Sequence, residues 1–430
     1  MNKTKEIFVI GFALFASFFG AGNLILPPYL GFNSGSDWWL VAIGFILSAT
    51  ILPLLALFAH ARLQGTMLDF GNKVSPIFSL LFCLSVYIIA ISLPIPRTAA
   101  VTHELAILPF FESSSLVTSS IYFVLVLVFV INRTKVLSIL GKILTPLIII
   151  ILLTIIGVGI FNSPTEINDS ILKTPLIDGI LEGYQTYDAL GGLLIGGVVV
   201  ISLNLKGFTS FSDKKIIIAK AGLIAAAGLF IIYTGLIVIG ALYNTEFSSD
   251  ITRTNLLSGL SLITLGSIGT TFLSVLVALA CFTTAVSVIV GTADFFKGLF
   301  KGSQKAYLIT AFISCLLGVV VGQFDVHYII NVAVPALMFI YPLTIVLILL
   351  NVLPEKMASK KVFRAVVLVT FIFSVPDFLQ LIISEETLLP IKKYIPLSQH
   401  SLGWILPAFA AFIISNLNTS LLQSKSNSAS

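Results

Sequence analysis

Apolar runs long enough to cross a bilayer recur from one end of this chain to the other, and no other feature limits its fold as severely. They lie near 7–30, 38–60, 77–99, 115–131, 138–161, 179–204, 216–243, 270–296, 306–323, 326–353, 362–383 and 401–417. A spanning helix needs roughly 20 predominantly apolar residues. The pattern predicts an all-α polytopic membrane protein with about twelve transmembrane helices. Only 10% of the 430 residues are charged, against about 25% in an average soluble domain. No stretch is left for a soluble domain, so residues 1–430 read as a single transmembrane domain. The first run is too long for a cleaved signal peptide and is expected to serve as the first span itself.

Lys and Arg fix the expected orientation, because cytoplasmic loops carry the excess of positive charge. With the N-terminus inside, the outer segments hold only Arg97, Lys173, Arg253, Lys392 and Lys393 of the 24 basic residues. The inner segments hold the rest, including Arg133, Lys135 and Lys142. A wrong span count would scramble this alternation, so both termini are expected in the cytoplasm. The net charge of +5 then reflects topology, and nothing in the pattern points to nucleic acid. Residues 418–430, rich in Ser and Asn, read as a disordered tail. Within the outer connection at 244–269, the apolar spacing from Leu256 to Ile268 predicts a short helix over an external vestibule.

Two spans weaken their own helices. The first contains Gly20-Ala21-Gly22-Asn23 near its middle, where backbone cannot be left unsatisfied against lipid. The sixth carries Glu182-Gly-Tyr-Gln-Thr-Tyr-Asp188, followed by the glycine pairs Gly191-Gly192 and Gly196-Gly197. Interruptions at corresponding places in two halves point to inverted repeats with a binding site at the midplane. The repeats fall at about 7–161 and 179–353, five spans each, with peripheral helices at about 362–417.

A broken helix exposes amides on one half and carbonyls on the other. The Gly20, Ala21 and Gly22 amides suit a carboxylate, since glycine permits close approach. Freed carbonyls with neighbouring hydroxyls suit a dehydrated Na⁺. Thr283 and Thr284 of the eighth span cannot both face lipid, so at least one points inward, either into a site or back onto its own helix carbonyls. Asp188 is a candidate substrate or ion ligand as an intramembrane carboxylate, and equally a cap for the half-helix that follows. Tyr184 and Tyr187 read as pocket walls or as interfacial aromatics. Arg97, at the outer end of the third span, reads as a gate paired with Asp325 or Asp188, or as an interfacial anchor. Asp377, after Pro376, reads as a helix-break feature facing the outer side. His60, Arg62, Asp69 and Asp294 read as solvated residues at cytoplasmic ends.

No catalytic constellation stands out. The four histidines are dispersed, and Cys83, Cys281 and Cys315 sit in apolar segments without metal or disulfide spacing. There is no phosphate-binding glycine loop ending in Lys-Ser/Thr. The expectation is a carrier driven by an ion gradient, with no cofactor and no ATPase subunit, in contact with lipid and a small zwitterionic substrate.

The run Phe15 to Pro28, the Pro96-Arg-Thr-Ala99 segment and Glu182 to Asp188 together resemble the bacterial branched-chain amino acid:cation symporters, the LIV-II or BrnQ carriers. The resemblance covers nearly the whole chain. It implies uptake of leucine, isoleucine and valine, coupled to Na⁺ in most characterised members, across the bacterial cytoplasmic membrane. It also implies the LeuT-type five-plus-five inverted-repeat fold of the amino acid–polyamine–organocation group, with broken helices 1 and 6. By that resemblance the amides of Gly20-Ala21-Gly22-Asn23 hold the substrate carboxylate. Carbonyls of Ala16 and Phe19 join Ala280, Thr283 and Thr284 around Na⁺, and Asn23 matches a second sodium ligand of some relatives. The sixth span departs from the Ser/Gly-rich break of that group, which leaves its unwound residues open. Two rivals remain at this stage: a proton-coupled carrier with Asp188 as proton carrier, and a membrane receptor or channel using the same pocket.

Overall fold

The computed structural model describes residues 3–132, 136–380 and 383–428. Arg133 and Lys135, counted above for orientation, lie outside the described residues, as do positions 429 and 430. The ordered elements of the described residues are all helices, and these helices reproduce the expected spans. The first span is α1 (Lys3–Phe18) with α2 (Ala21–Ser34). The second is α3 (Trp38–Ile46), a π-helical turn (Leu47–Ile51) and α4 (Leu52–Leu63), followed by the short α5 (Leu68–Gly71). The third is α6 (Pro76–Ser92) with α7 (Pro94–Thr102), and the fourth and fifth are α8 (Ser115–Asn132) and α9 (Val136–Phe161). The sixth is α10 (Pro175–Tyr184) with α11 (Asp188–Leu205), then α12 (Phe211–Leu242) and α13 (Arg253–Leu299). The remainder are α14 (Gln304–Gly322), α15 (Val326–Val352), α16 (Lys360–Leu379), the short α17 (Glu385–Lys392) and α18 (Ile405–Ser428).

Among the described residues, nine helical stretches are long and apolar enough to cross a membrane, and Pro146–Phe161 and Ile405–Leu417 are shorter apolar helices. One of the nine, Ala21–Leu63, joins half of the first span to the whole of the second, so twelve crossings are accounted for. Many large side chains stay uncovered on the outer helix faces, among them Phe8, Phe12, Ile77, Ile121, Ile309 and Phe312. That pattern is costly in water and costs nothing where the surrounding solvent is acyl chain.

Three details depart from the expected elements. α13 is not one rod: Gly266 adopts φ +70° inside it, a conformation glycine reaches without the side-chain clash other residues meet. The helix anticipated at Leu256–Ile268 therefore exists as Arg253–Leu265, set off from the eighth span. The third span bends at Leu93, because Pro94 has no amide to give and its ring clashes with the preceding turn. Finally, α18 runs to Ser428, past position 417, the expected end of the last span.

Contacts sort the chain into two compact units. One contains residues 1–51, 87–191 and 220–332, and the other 52–86, 192–219 and 333–430. In the first unit, α2 and α12 approach backbone to backbone. A Cβ at Gly31 would occupy the Ile237 carbonyl, and one at Gly240 would occupy that of Pro28. Membrane helices lack a hydrophobic drive to associate, so such small-residue contacts and close packing hold them. A core of Ile95, Phe123, Val126, Val286, Ile289 and Tyr307 joins α7, α8, α13 and α14. Ser115 and Ser119 donate to the Gln323 and Gly322 carbonyls at 2.6 Å each, satisfying groups at the end of α14 that no helical amide reaches.

In the second unit, His60 is fully buried, with Nε2 2.8 Å from the Leu193 carbonyl and its ring against Phe70. This corrects its reading as a solvated residue: α11 covers the last turn of α4, and Gly196 leaves room for the imidazole. Arg62 is likewise engaged, donating to the Val352 and Leu353 carbonyls at the end of α15. Asp377 is buried in an ion pair with Lys392 at 2.9 Å, and α16 continues through Pro376 to Leu379, which corrects the expected helix break there.

Candidate functional site

The first break is shorter than the four residues the sequence suggested. The Phe19 amide still reaches the Phe15 carbonyl at 2.9 Å, Gly20 is extended at φ −124°, ψ −165°, and α2 begins at Ala21. Asn23 closes the interruption from within, its Oδ1 accepting from the Gly20 amide at 3.0 Å. Two consequences follow. The Ala16 carbonyl loses the Gly20 amide that a continuous helix would have given it. The Ala21 and Gly22 amides head α2 with no helical acceptor. Of the three amides expected to cradle a carboxylate, that of Gly20 is already bonded to Asn23.

The second break comprises Gln185, Thr186 and Tyr187. α10 closes through i→i+3 turns, Gln185 to Glu182 and Thr186 to Gly183. Tyr187 then adopts φ +63°, an unfavourable region for an aromatic residue that persists where surroundings over-determine it. Tyr184 and Tyr187 are both buried and so are not interfacial aromatics. Asp188 opens α11, its amide donated to the Thr186 hydroxyl at 3.2 Å. Its carboxylate leaves its own helix and reaches across. Asn23 Nδ2 donates to both carboxylate oxygens at 3.0 and 2.8 Å, and the Tyr233 hydroxyl donates to Oδ2 at 2.7 Å. Asn23 also touches the Tyr233 hydroxyl. Both amide atoms of Asn23 are thus committed, one to its own break and one to the other.

Tyr233 escaped the sequence reading. The available signal was a Tyr-Thr pair set in the middle of an otherwise aliphatic span. Its ring also packs edge-on against Phe45 and beside Phe19, which stacks on Phe15.

Arg97 is not an interfacial anchor. The bend at Pro94 carries it inward, and it is 3% exposed. Its Nη2 donates to the Gln185 carbonyl at 2.9 Å, and its guanidinium lies 5.3 Å from the centre of the Tyr187 ring. A Cβ on Gly22 would collide with that guanidinium. Arg97 therefore bridges the first turn of α2 and the sixth-span break. Of its two expected partners, Asp325 accepts from the Tyr328 amide, and Asp188 is bonded to Asn23 and Tyr233.

On α13, Thr284 faces the first break, with its side chain 3.5 Å from where a Cβ on Gly20 would lie. The Thr283 hydroxyl donates to the Ala280 carbonyl at 3.0 Å, as the back-bonding reading anticipated. Of the expected sodium set, the structure brings Thr284 to the break that frees the Ala16 carbonyl.

Outside the breaks, Glu182 pairs with Arg253 at 3.0 Å, and Arg253 lies over the Tyr29 ring at 4.4 Å. Glu104 accepts from the Thr254 hydroxyl at 2.6 Å and the Val326 amide at 2.9 Å. Charged residues thus tie α10, α2 and the helix before Gly266 together, a cluster that the sequence reading did not single out.

Known proteins agree with this architecture. A family model described as "Branched-chain amino acid transport protein" matches residues 3–422. The chain belongs to this family. It is 32% identical over 423 residues to the branched-chain amino acid transport system 2 carrier protein of Pseudomonas aeruginosa, covering 96% of this chain and 95% of that one. It is 32% identical to the branched-chain amino acid permease BraB of Bacillus subtilis, covering 95% and 94%. The family is one of transport proteins and its named members are carriers, so the chain is a multi-pass membrane carrier and not an enzyme. Among solved structures, the inward-facing conformation of Mhp1 superposes with a TM-score of 0.58 at 12% identity, covering 97% of this chain and 91% of that one. MhsT in complex with L-phenylalanine gives 0.55 at 17%, covering 95% and 98%. Both share the LeuT-type fold, which is the fold of this chain.

Proposed function

We propose that this carrier is a Na⁺-coupled symporter that imports leucine, isoleucine and valine across the bacterial cytoplasmic membrane by alternating access. In this reading residues 7–161 and 179–353 form the two inverted repeats, residues 362–417 are peripheral, and both termini are cytoplasmic. The substrate carboxylate rests on the Ala21 and Gly22 amides, and Tyr184 and Tyr187 wall the pocket. Na⁺ is held by the Ala16, Phe19 and Ala280 carbonyls with the Thr283 and Thr284 hydroxyls.

One observation carries the reading: two interrupted spans meet through Asn23 and Asp188, beside a released carbonyl and a threonine hydroxyl. Backbone amides at one end and oxygen ligands at the other suit a zwitterion and a hard cation bound together. Apolar walls favour aliphatic side chains, but one methylene changes binding by only about 1–3 kcal/mol, so the three substrates share the site.

Leucine uptake into proteoliposomes with Na⁺ replaced by choline at fixed pH tests the coupling. Uptake should fall to background, and undiminished uptake would end the sodium reading. Proton coupling is the second reading, favoured by the partners of Asp188, which are the neutral Asn23 and Tyr233. It requires uptake that follows an imposed pH gradient without Na⁺. A receptor or channel would show no counterflow of labelled leucine into vesicles preloaded with unlabelled leucine.

A further inference from the structure

Arg97 is a buried cation with no ion pair within 4.0 Å among the described residues. Its guanidinium makes one hydrogen bond, to the Gln185 carbonyl, and its Nε is buried with no partner among the described residues. A buried charge without a compensating anion is strongly unfavourable, and arginine does not escape by losing its proton. The nearby carboxylates are engaged elsewhere: Asp188 with Asn23 and Tyr233, Glu182 with Arg253, and Glu104 with Thr254 and the Val326 amide.

The surroundings of Arg97 add positive potential. It packs against Gly22, in the first turn of the fourteen-residue α2, where the Ala21 and Gly22 amides and the helix dipole favour an anion. Nη2 and Nε form one edge of the guanidinium, the edge that takes a carboxylate through two parallel hydrogen bonds. Gln185, the residue Arg97 already holds, contributes the opposite polarity: its Oε1 is buried and unpartnered, while its Nε2 donates to Glu182 at 3.2 Å.

We propose that Arg97 is the counter-ion of the substrate's α-carboxylate, binding it jointly with the amides that begin α2. The proposal rests on the amino acid carrier reading and deepens it. It makes the third span a determinant of specificity for amino acids over amines of the same shape.

Binding of leucine and of leucinol, which has the same isobutyl group and ammonium but no carboxylate, separates the possibilities. Both are measured by calorimetry on purified protein in nanodiscs with Na⁺ present. The wild type should favour leucine by roughly 10- to 100-fold, the value of hydrogen bonds to a charged group. Arg97→Gln should weaken leucine by a similar factor and leave leucinol nearly unchanged, so the preference collapses. Equal weakening of both ligands would mean that Arg97 only props the sixth-span break, and a preserved preference would equally overturn the proposal. If Arg97→Gln does not yield folded protein, Arg97→Lys keeps the charge without the two-donor edge and should still lose affinity for leucine selectively. A wild type that binds neither ligand would count against the carrier reading itself, a result distinct from failure of the Arg97 assignment.

Discussion

Asn23 and Asp188, 165 positions apart, are joined by two hydrogen bonds from one amide nitrogen to both carboxylate oxygens. Each residue lies at the head of a half-helix, so this contact fixes one interruption against the other. Asp188→Asn would set an amide NH₂ facing the Asn23 and Tyr233 donors, leaving buried donors unpaired at about 1–3 kcal/mol. It should abolish leucine uptake at normal membrane expression. Tyr233→Phe removes the hydroxyl's hydrogen bonds with Asp188 and Asn23 without adding a clash, costs about 1–2 kcal/mol, and should lower uptake only a few-fold. Equal losses in the two variants, measured on matched amounts of reconstituted protein, would contradict this ranking.

The two glycines of the first break should differ in their tolerance of a methyl group. Gly20 is extended and a Cβ there would meet only ordinary contacts at 3.5 Å or more, whereas at Gly22 it would meet the Arg97 guanidinium. Gly20→Ala should therefore retain leucine binding, and Gly22→Ala should weaken it by at least about tenfold. The ranking is checked by the same calorimetry, and its reversal would place the substrate against Gly20.

The spans and their breaks were legible because both follow from how backbone behaves in hydrocarbon. A run of apolar residues has no alternative to helix there, and Gly20 within one announces an interruption. What remained hidden depended on tertiary direction. Nothing in the order of residues says that Asn23 turns back to cap Gly20, or that Asp188 reaches a tyrosine 45 positions away. Arg97 was misjudged for a related reason. Its position near the outer end of an apolar run suggested an interface, but Pro94 bends that run and carries the guanidinium into the interior. His60 was misjudged because burial at a helix end depends on which neighbour covers it.

Thr283 and Thr284, adjacent in sequence, should contribute unequally to sodium dependence. Thr284 faces Gly20, whereas the Thr283 hydroxyl is turned onto the Ala280 carbonyl. Thr284→Ala should raise the Na⁺ concentration for half-maximal uptake by about tenfold, the effect of one oxygen ligand worth about 1.4 kcal/mol. Thr283→Ala should raise it less, and Thr284→Ser should restore near-normal dependence. Uptake measured against Na⁺ at constant ionic strength decides this. An unchanged curve for Thr284→Ala would remove that hydroxyl from the ion site.

Glu182 and Arg253 link the end of α10 to the helix that precedes Gly266, with side chains 15% and 13% exposed and the guanidinium over Tyr29. An exposed ion pair contributes about 0–1 kcal/mol, but here partial burial and the aromatic face strengthen the contact. Because α10 ends at the sixth-span break, a transport cycle that moves it against the helix before Gly266 would strain or break the pair. Arg253→Gln and Glu182→Gln should each change the uptake rate several-fold while altering the affinity for leucine less than twofold. The charge-swapped double variant, Glu182→Arg with Arg253→Glu, should recover part of the rate that single reversals lose. Rates in the double variant no better than the product of the two single effects would show that the residues act independently, and the pair would then have no part in the transport cycle.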